Sequence, residues 1–217
     1  MLIVTRYCIN MASAQPRPQR ERLNALLKRR GIARLSEIRE EGVTAATVSR
    51  LEKEGAVVRL GRGLYQLADA PIDARHTLAE AAKRAPRGII ALTSALAFHG
   101  LTDQIPRRVW MAIGPKDWRP VVNEPPLRIV RFSEPYLSAG VKTHKIEGVD
   151  VPVYEVAKTI ADLFRHRKSV GVSVALEGLR EALRQRKATP AVLARAAEAG
   201  GVAKLMAPYI EALSSDG

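Results

Sequence analysis

Residues 43–67 read VTAATVSRLEKEGAVVRLGRGLYQL and combine a helical pattern with a hairpin pattern. Thr44 is a good N-cap residue, and it predicts that a helix begins there. Two short apolar runs follow, Val57–Leu60 and Leu64–Leu67, and they flank Gly61-Arg62-Gly63. Glycine accepts the positive φ that tight hairpins need, so this stretch predicts two strands with an arginine at the turn.

Two further helices are predicted before this stretch. The segment RERLNALLKRRG, residues 20–31, places three leucines on one helical face, and its final glycine suits a helix end. The segment RLSEIREEG, residues 34–42, places Leu35 and Ile38 on a common face. Three short helices followed by a hairpin is the element order of a winged helix-turn-helix, in which the third helix enters the major groove of DNA.

The third helix has two chemically different sides. At 100° per residue, the apolar side carries Val48 and Leu51, while the opposite side is small, hydroxylic and cationic. Hydroxyl groups bind bases or phosphates, and arginine binds guanine with two hydrogen bonds. The predicted DNA-binding residues are those of the outward side together with the two hairpin arginines: Thr47, Ser49, Arg50, Lys53, Arg59 and Arg62.

The charge of the chain favours an anionic partner. Its 217 residues contain 35 Lys and Arg against 22 Asp and Glu, a formal net charge of +13. Such a balance is typical of proteins that bind nucleic acid or a membrane surface, and it also occurs in proteins with scattered charge. Two interpretations therefore stay open, a DNA-binding domain and a winged domain that binds another protein.

The rest of the chain predicts a second, mixed region. Residues 68–74 read as a linker, and helices are predicted over about 75–85 and over TSALAFHG, residues 93–100, with Thr93 or Ser94 as the cap. Strands are predicted at 107–113 and 127–133, with a hairpin around Gly148. Helices are predicted over YEVAKTIADLFRHR (154–167), 172–186, from Thr189-Pro190 and over about 202–213.

These patterns predict an α+β fold with three segments. Residues 1–18 are expected to be a disordered leader and residues 19–70 a winged helix-turn-helix domain. Residues 71–217 are expected to form a mixed α/β domain with a helical C-terminal tail.

The sequence resembles the abortive-infection type IV antitoxins, the AbiEi-like family. The stretch RGIARLSEIREEGVTAATVSRLEKEGAVVRLGRGLYQL, residues 30–67, is similar to the winged domain of that family. The stretches GIIALTSALAFHGLTDQIPRRVWMAI (88–113) and VPVYEVAKTIADLF (151–164) are similar to its second region. The resemblance implies a repressor that binds inverted repeats in its own promoter. It also implies that the protein counteracts a nucleotidyltransferase-like toxin without a stable complex. Some members of the family have a nuclease domain or no toxin partner.

No catalytic or cofactor motif stands out, and we expect neither enzyme activity nor a cofactor. Asp150, Glu155 and Lys158 are similar in type to the acidic pair and lysine of metal-dependent nucleases. Their spacing is Glu-x-x-Lys on a predicted helix, where a surface ion pair is more common. The four histidines lack metal-ligand spacing, so no metal site is predicted.

Two features of the second region have alternative interpretations. Asp162 falls opposite the apolar stripe of its predicted helix, either in a surface ion pair with Lys158 or as a fixed polar contact. The predicted helix 172–186 and the residues just after it carry several cations, which form either a second phosphate-binding surface or a solvated face: Arg180, Arg184, Arg186 and Lys187.

The N-terminal region bears on location. The chain has one cysteine, Cys8, which fits a reducing compartment, and no apolar run is long enough to span a membrane. We expect a cytoplasmic protein. Met11 is a candidate for the native start, which mass spectrometry of the native protein would test.

Overall fold

The structure of the chain is a computed structural model that describes residues 18–71, 75–120 and 125–215. Up to residue 67, the described residues form an N-terminal unit of helices and short strands. Its elements are α1 (Gln19–Arg30), β1 (Ile32–Arg34), α2 (Leu35–Glu40), α3 (Ala45–Lys53), β2 (Val57–Gly61) and β3 (Leu64–Leu67). The predicted leader and the Met11 start lie outside the described residues, apart from Pro18.

The predicted helices and hairpin of the N-terminal unit are confirmed, but β1 was not predicted. Strand β1 pairs antiparallel with β3, and β3 with β2, so the sheet has the order β1-β3-β2. A strand of three residues shows no alternation that a sequence pattern can reveal. The predicted apolar faces meet in one core that includes Leu23 of α1, Val48 of α3 and Tyr65 of β3.

The second part of the chain is built around a five-stranded mixed sheet. Its elements are α4 (His76–Arg84), β4 (Ile89–Ile90), α5 (Leu92–Phe98), β5 (Val109–Ile113), β6 (Leu127–Arg131), β7 (Val141–Ile146), β8 (Val149–Tyr154), α6 (Val156–Arg165), α7 (Arg167–Val170), α8 (Val172–Arg184), α9 (Pro190–Ala199) and α10 (Ala203–Ser215). The sheet order is β6-β5-β4-β8-β7, with β5–β6 and β4–β8 parallel.

The N-cap predicted for α5 is wrong. Ala91 occupies the cap position and makes no side-chain cap bond, so neither Thr93 nor Ser94 begins the helix. The Ser94 side chain is buried and its Oγ accepts a hydrogen bond of 2.9 Å from the backbone N–H of Trp110. This serine therefore joins α5 to strand β5 because its hydroxyl satisfies a buried amide.

The last three helices are part of the core rather than an appended tail. Leu179 of α8, Leu193 of α9 and Met206 of α10 are buried in one cluster with Ile160 and Phe164 of α6. Burial of such side chains contributes about 1.5–3 kcal/mol each, so removal of this segment would expose a large apolar surface. The predicted boundary at residue 70 stays a prediction.

The N-terminal unit contacts the second part through a group of charged side chains. The Glu37 carboxylate on α2 accepts hydrogen bonds from Lys83 of α4 at 2.9 and 3.0 Å and from Arg30 at 2.7 Å. The backbone N–H of Arg34 donates to the same carboxylate at 2.6 Å. The Arg34 guanidinium also donates to the backbone carbonyl of Lys83. These bonds join α2 to α4, and thus the first sheet to the second part of the chain.

Candidate nucleic-acid interface

Helix α3 presents its predicted cationic side to solvent. Val48 and Leu51 are buried, whereas Ser49, Arg50 and Lys53 are exposed. Helix α3 begins where the sequence predicts, because the Thr44 hydroxyl accepts a hydrogen bond of 3.3 Å from the backbone N–H of Thr47. The outward side is therefore available to a ligand, as the helical periodicity predicts.

Thr47 is half-buried and has a hydrogen-bond partner that the sequence did not indicate. The side-chain oxygen of Gln19, at the start of α1, accepts from the Thr47 hydroxyl at 2.7 Å. The same oxygen accepts from the backbone N–H of Thr44 at 3.0 Å. The Gln19 side-chain oxygen thus fixes the first turn of α3. The side-chain N–H groups of Gln19 stay available as donors beside the helix. No local pattern reveals this contact, because 28 residues separate Gln19 and Thr47 in the chain.

The cations of α3 are only weakly engaged by neighbouring acids. The Nε atom of Arg50 lies 3.7 Å from Glu54, and the arginine side chain is 67% exposed. Glu54 also pairs with Arg20 at 3.1 Å. Within the described residues the Lys53 side chain makes no hydrogen bond or ion pair. Weak, exposed pairs of this kind leave the cations able to bind phosphate or base edges.

The hairpin projects two exposed arginines, as predicted. Arg62 makes no hydrogen bond or ion pair with the described part of the chain, and Arg59 donates from Nε to the carbonyl of Gly61 at 3.2 Å. Gly63 has a φ of 67°, which explains its glycine. Gly61 does not share this conformation, and its role is steric: a Cβ there would lie 2.3 Å from a guanidinium nitrogen of Arg84.

Arg84 of α4 is a residue that sequence reasoning missed at this interface. Its Nη2 donates to the carbonyl of Leu60 on β2 at 2.9 Å. Glu80, one helical turn earlier, holds the same guanidinium at 2.5 Å. Helix α4 therefore supports the hairpin at its turn end, next to Arg62.

The set of residues considered for nuclease chemistry does not converge. Asp150 lies 3.8 Å from Lys145, and Glu155 pairs with Lys142 at 2.9 Å. Lys158 points elsewhere, into a buried pair with Asp162. Within residues 18–71, 75–120 and 125–215, no cluster of three or more His, Cys, Asp or Glu side chains forms a possible metal site.

The predicted ion pair of Lys158 with Asp162 is present, but its predicted place on the surface is wrong. The two side chains meet at 2.7 Å with 8% and 0% exposure. Tyr136 donates a hydrogen bond to the same carboxylate. Burial lowers the pKa of Lys158 to about 8 and raises the pKa of Asp162, because the interior disfavours both charges. The pair is a fixed polar contact between α6 and the segment that contains Tyr136.

The cationic residues of α8 and the turn after it are partly engaged within the chain. Arg184 forms an ion pair with Glu181 at 2.6 Å, and Lys187 donates to the backbone carbonyl of His99. Arg180 and Arg186 are exposed. Two of the four cations therefore have partners within the chain, and the choice between a phosphate-binding surface and a solvated face stays open.

Comparisons with known proteins bear on both parts of the chain. Residues 21–68 match the family model of the AbiEi antitoxin transcriptional regulators, which confirms the predicted resemblance for this segment. No curated protein matches the sequence. The crystal structure of the RV2827C protein from Mycobacterium tuberculosis superposes with a TM-score of 0.57 at 15% identity. That match covers 90% of this chain and 80% of the other, and it shows a shared fold.

The described helices contain no segment long and apolar enough to cross a membrane.

Proposed function

We propose that the chain is a DNA-binding transcriptional regulator and that its N-terminal unit is a winged helix-turn-helix. Helix α3 would enter the major groove, and the β2–β3 hairpin would be the wing. The observation that carries this proposal is the exposed cationic side of α3 next to a hairpin with two exposed arginines. The match of residues 21–68 to a family of transcriptional regulators supports it.

The residues would divide into base readers and phosphate contacts. Arg50 and Ser49 project from the middle of α3, where side chains reach base edges. Lys53 at the end of the helix, with Arg59 and Arg62 on the wing, would neutralise phosphates. Thr47 would act mainly through Gln19, because its hydroxyl is already bonded. The Gln19 amide would then be an additional donor to the DNA.

We propose further that the protein is a type IV-like antitoxin in the cytoplasm. It would repress its own operon through inverted repeats in the promoter. It would also counteract a nucleotidyltransferase-like toxin without forming a stable complex with it, as part of phage defence. We propose no catalytic activity for the chain. The resemblance of the N-terminal unit to antitoxin regulators supports this assignment.

An electrophoretic mobility shift with the DNA upstream of the protein's own gene tests DNA binding. We expect Arg50→Ala and Arg62→Ala to weaken binding about tenfold, since each removes a base or phosphate contact. Arg195→Ala, an exposed arginine on α9, is the matched control and should bind as the wild type does. A wild-type protein that binds no DNA but captures a protein through the same surface would instead support an interaction module.

The antitoxin and enzyme proposals have separate tests. Co-expression with a neighbouring nucleotidyltransferase-like gene should restore growth, and failure to do so would overturn the antitoxin assignment alone. Incubation of plasmid DNA with the protein and Mg²⁺ should leave the plasmid intact. Nicking that Glu155→Ala abolishes would contradict the proposed absence of catalysis.

A further inference from the structure

Strand β6 forms one edge of the large sheet. The opposite edge is β7, and the turn after β7 lies against the end of α1: a Cβ on Gly148 would be 2.8 Å from the carbonyl oxygen of Arg29. Four spacings of about 4.8 Å separate the two edge strands, roughly 19 Å across the sheet. The surface at β6 therefore lies at the sheet edge opposite the one that contacts α1, and it is built from residues other than those of α3 and the hairpin.

A cavity of about 520 Å³ opens beside β6 and concentrates arginines. Arg107, Arg108 and Arg128 line it, and no Asp or Glu is among its lining residues. The guanidinium of Arg128 stacks on the ring of Trp110 at 4.3 Å. Neither the Arg107 nor the Arg108 side chain makes a hydrogen bond or ion pair with the residues that the structure describes. A cavity lined by three arginines, with no Asp or Glu among its lining residues, favours the binding of phosphate.

An exposed tryptophan lies on the other side of the same strand. Trp118 is 87% exposed, which is exceptional for so large an apolar side chain. Its loop is nevertheless fixed, because the Arg131 Nη1 atom donates to the carbonyls of Gly114 and Asp117 at 2.7 and 2.9 Å. The Asp117 carboxylate accepts from the Gly114 amide at 2.8 Å. Internal hydrogen bonds thus hold the loop in a form that leaves the indole ring uncovered.

The charges around Trp118 are positive. Lys116 and Arg119 flank it and are exposed. Asp117, the acid between them in sequence, is occupied by the Gly114 amide and by Arg87 at 2.8 Å. An anionic partner that binds here would neutralise Lys116 and Arg119 and would also cover the Trp118 ring.

The tryptophan and the arginine cavity meet across the edge strand. Leu127 lines the shallow cavity that contains Trp118, and the next residue, Arg128, lines the arginine cavity. An extended polymer that crosses β6 at this point would contact both Trp118 and the arginine cavity. We call the set the β6-edge surface: Arg107, Arg108, Lys116, Trp118, Arg119 and Arg128.

We propose that the β6-edge surface binds single-stranded nucleic acid. A base stacks on Trp118, and the adjoining phosphates bind the arginines of the cavity. The stacking step requires an unpaired base, because the faces of paired bases inside a duplex are covered by their neighbours. Residues 71–217 carry 22 basic and 15 acidic residues, so this part of the chain is itself cationic by +7 and suits a polyanion.

Fluorescence anisotropy with labelled (dT)12 and (rU)12 tests the proposal on the full-length protein. Trp118→Ala should weaken binding about tenfold, and Trp118→Phe should restore most of it, because phenylalanine retains a stacking face. Arg107→Ala/Arg108→Ala should weaken binding by at least as much, with a lower dependence on salt. Arg195→Ala/Lys204→Ala removes the same charge from α9 and α10 and should stay within about twofold of wild type.

The outcomes separate this surface from the proposed DNA-binding unit. Arg50→Ala should weaken duplex binding about tenfold and leave (dT)12 binding within about twofold of wild type, and Trp118→Ala should do the reverse. Wild-type protein that binds neither oligonucleotide, or variants that bind as wild type does, would overturn the proposal and leave the surface to a protein partner. Equal loss of duplex and single-strand binding in Trp118→Ala would overturn it too, since the surface would then belong to the duplex site. Trp118→Ala is informative in every case, because so exposed a side chain contributes little to folding.

Discussion

Two helices of this protein carry an acid–base pair at the same i,i+4 spacing, and the two pairs differ in the distance between the charged groups and in their exposure. Arg50 and Glu54, on α3 and the residue after it, lie 3.7 Å apart with 67% and 41% exposure. Lys158 and Asp162 on α6 lie 2.7 Å apart with 8% and 0% exposure. The first pair leaves its cation available to a ligand, whereas the second uses its cation entirely within the fold.

The difference arises from what packs on each helix. On the outward side of α3, Gln19 contacts Thr47, while Ser49, Arg50 and Lys53 stay exposed. Over α6, the Lys158 ammonium lies between aromatic rings, 3.3 Å from the centroid of Tyr136 and 4.3 Å from that of Tyr154. Phe132 is 4.5 Å away. The same local pattern therefore gives a solvated surface or a buried polar centre, according to the side chains that pack on the helix.

Asp162→Asn should have the largest effect on stability. It leaves the buried Lys158 ammonium without its counter-charge, and breaking such a pair costs about 3–5 kcal/mol. Urea unfolding at pH 7 measures the loss. Asp103→Asn, at an exposed aspartate, should change the free energy of unfolding by less than about 0.5 kcal/mol. A loss of similar size in both variants would mean that Asp162 is not worth more than a surface acid.

Replacement of both Lys158 and Asp162 should lower the free energy of unfolding much less than Asp162→Asn does. In Lys158→Met/Asp162→Leu no buried charge remains, and apolar replacements of buried ion pairs are often neutral. The Tyr136 hydroxyl loses its acceptor, so we expect a residual cost of about 1–3 kcal/mol. The same urea measurement checks this. A double variant less stable than Asp162→Asn would show that the ion pair itself, rather than the unpaired charge, dominates.

Glu37 is intermediate in burial between Glu54 and Asp162, with a side chain that is 20% exposed. Burial works to raise its pKa, but hydrogen bonds from Arg34 and Lys83, with the charges of Lys83 and Arg30, outweigh burial and lower the pKa below the usual 4.5. The unfolded state therefore binds this proton at a higher pH than the folded state. The stabilisation is complete above pH about 4.5 and is lost as pH falls through the folded pKa.

Glu37→Gln should consequently lower the free energy of unfolding by about 1–2 kcal/mol at pH 7, and by less as the pH falls below about 4.5. Urea unfolding at a series of pH values measures this trend. Glu21→Gln, at an exposed glutamate of α1, should show no such convergence with the wild type. A Glu37→Gln deficit that stays constant down to pH 3 would contradict the assigned pKa direction.

The two pairs also explain which parts of the structure were predictable. The caps and apolar spacing of α1–α3 and the glycines of the hairpin are local signals, and they predicted the N-terminal unit and its exposed cations. Lys158 and Asp162 gave a misleading local signal, because the helical wheel placed them opposite the apolar stripe. Their burial depends on Tyr136, which lies more than twenty residues away in sequence. The contact of Gln19 with Thr47 likewise joins residues more than twenty positions apart. Tertiary contacts of this kind leave no local pattern.

Glu54→Gln should have the smallest effect on stability and a visible effect on DNA binding. Exposed pairs such as those of Glu54 with Arg50 and Arg20 contribute less than about 1 kcal/mol, so unfolding should change by no more than about 0.5 kcal/mol. Removal of an acid beside Arg50 should strengthen binding to the operator about threefold at low salt, and the gain should vanish at high salt through screening. Glu52→Gln makes the same charge change on the inward side of α3 and is the control in both the mobility shift and the urea measurement. An equal gain from Glu52→Gln would show that net charge alone, and not the outward position of Arg50, sets the affinity for DNA.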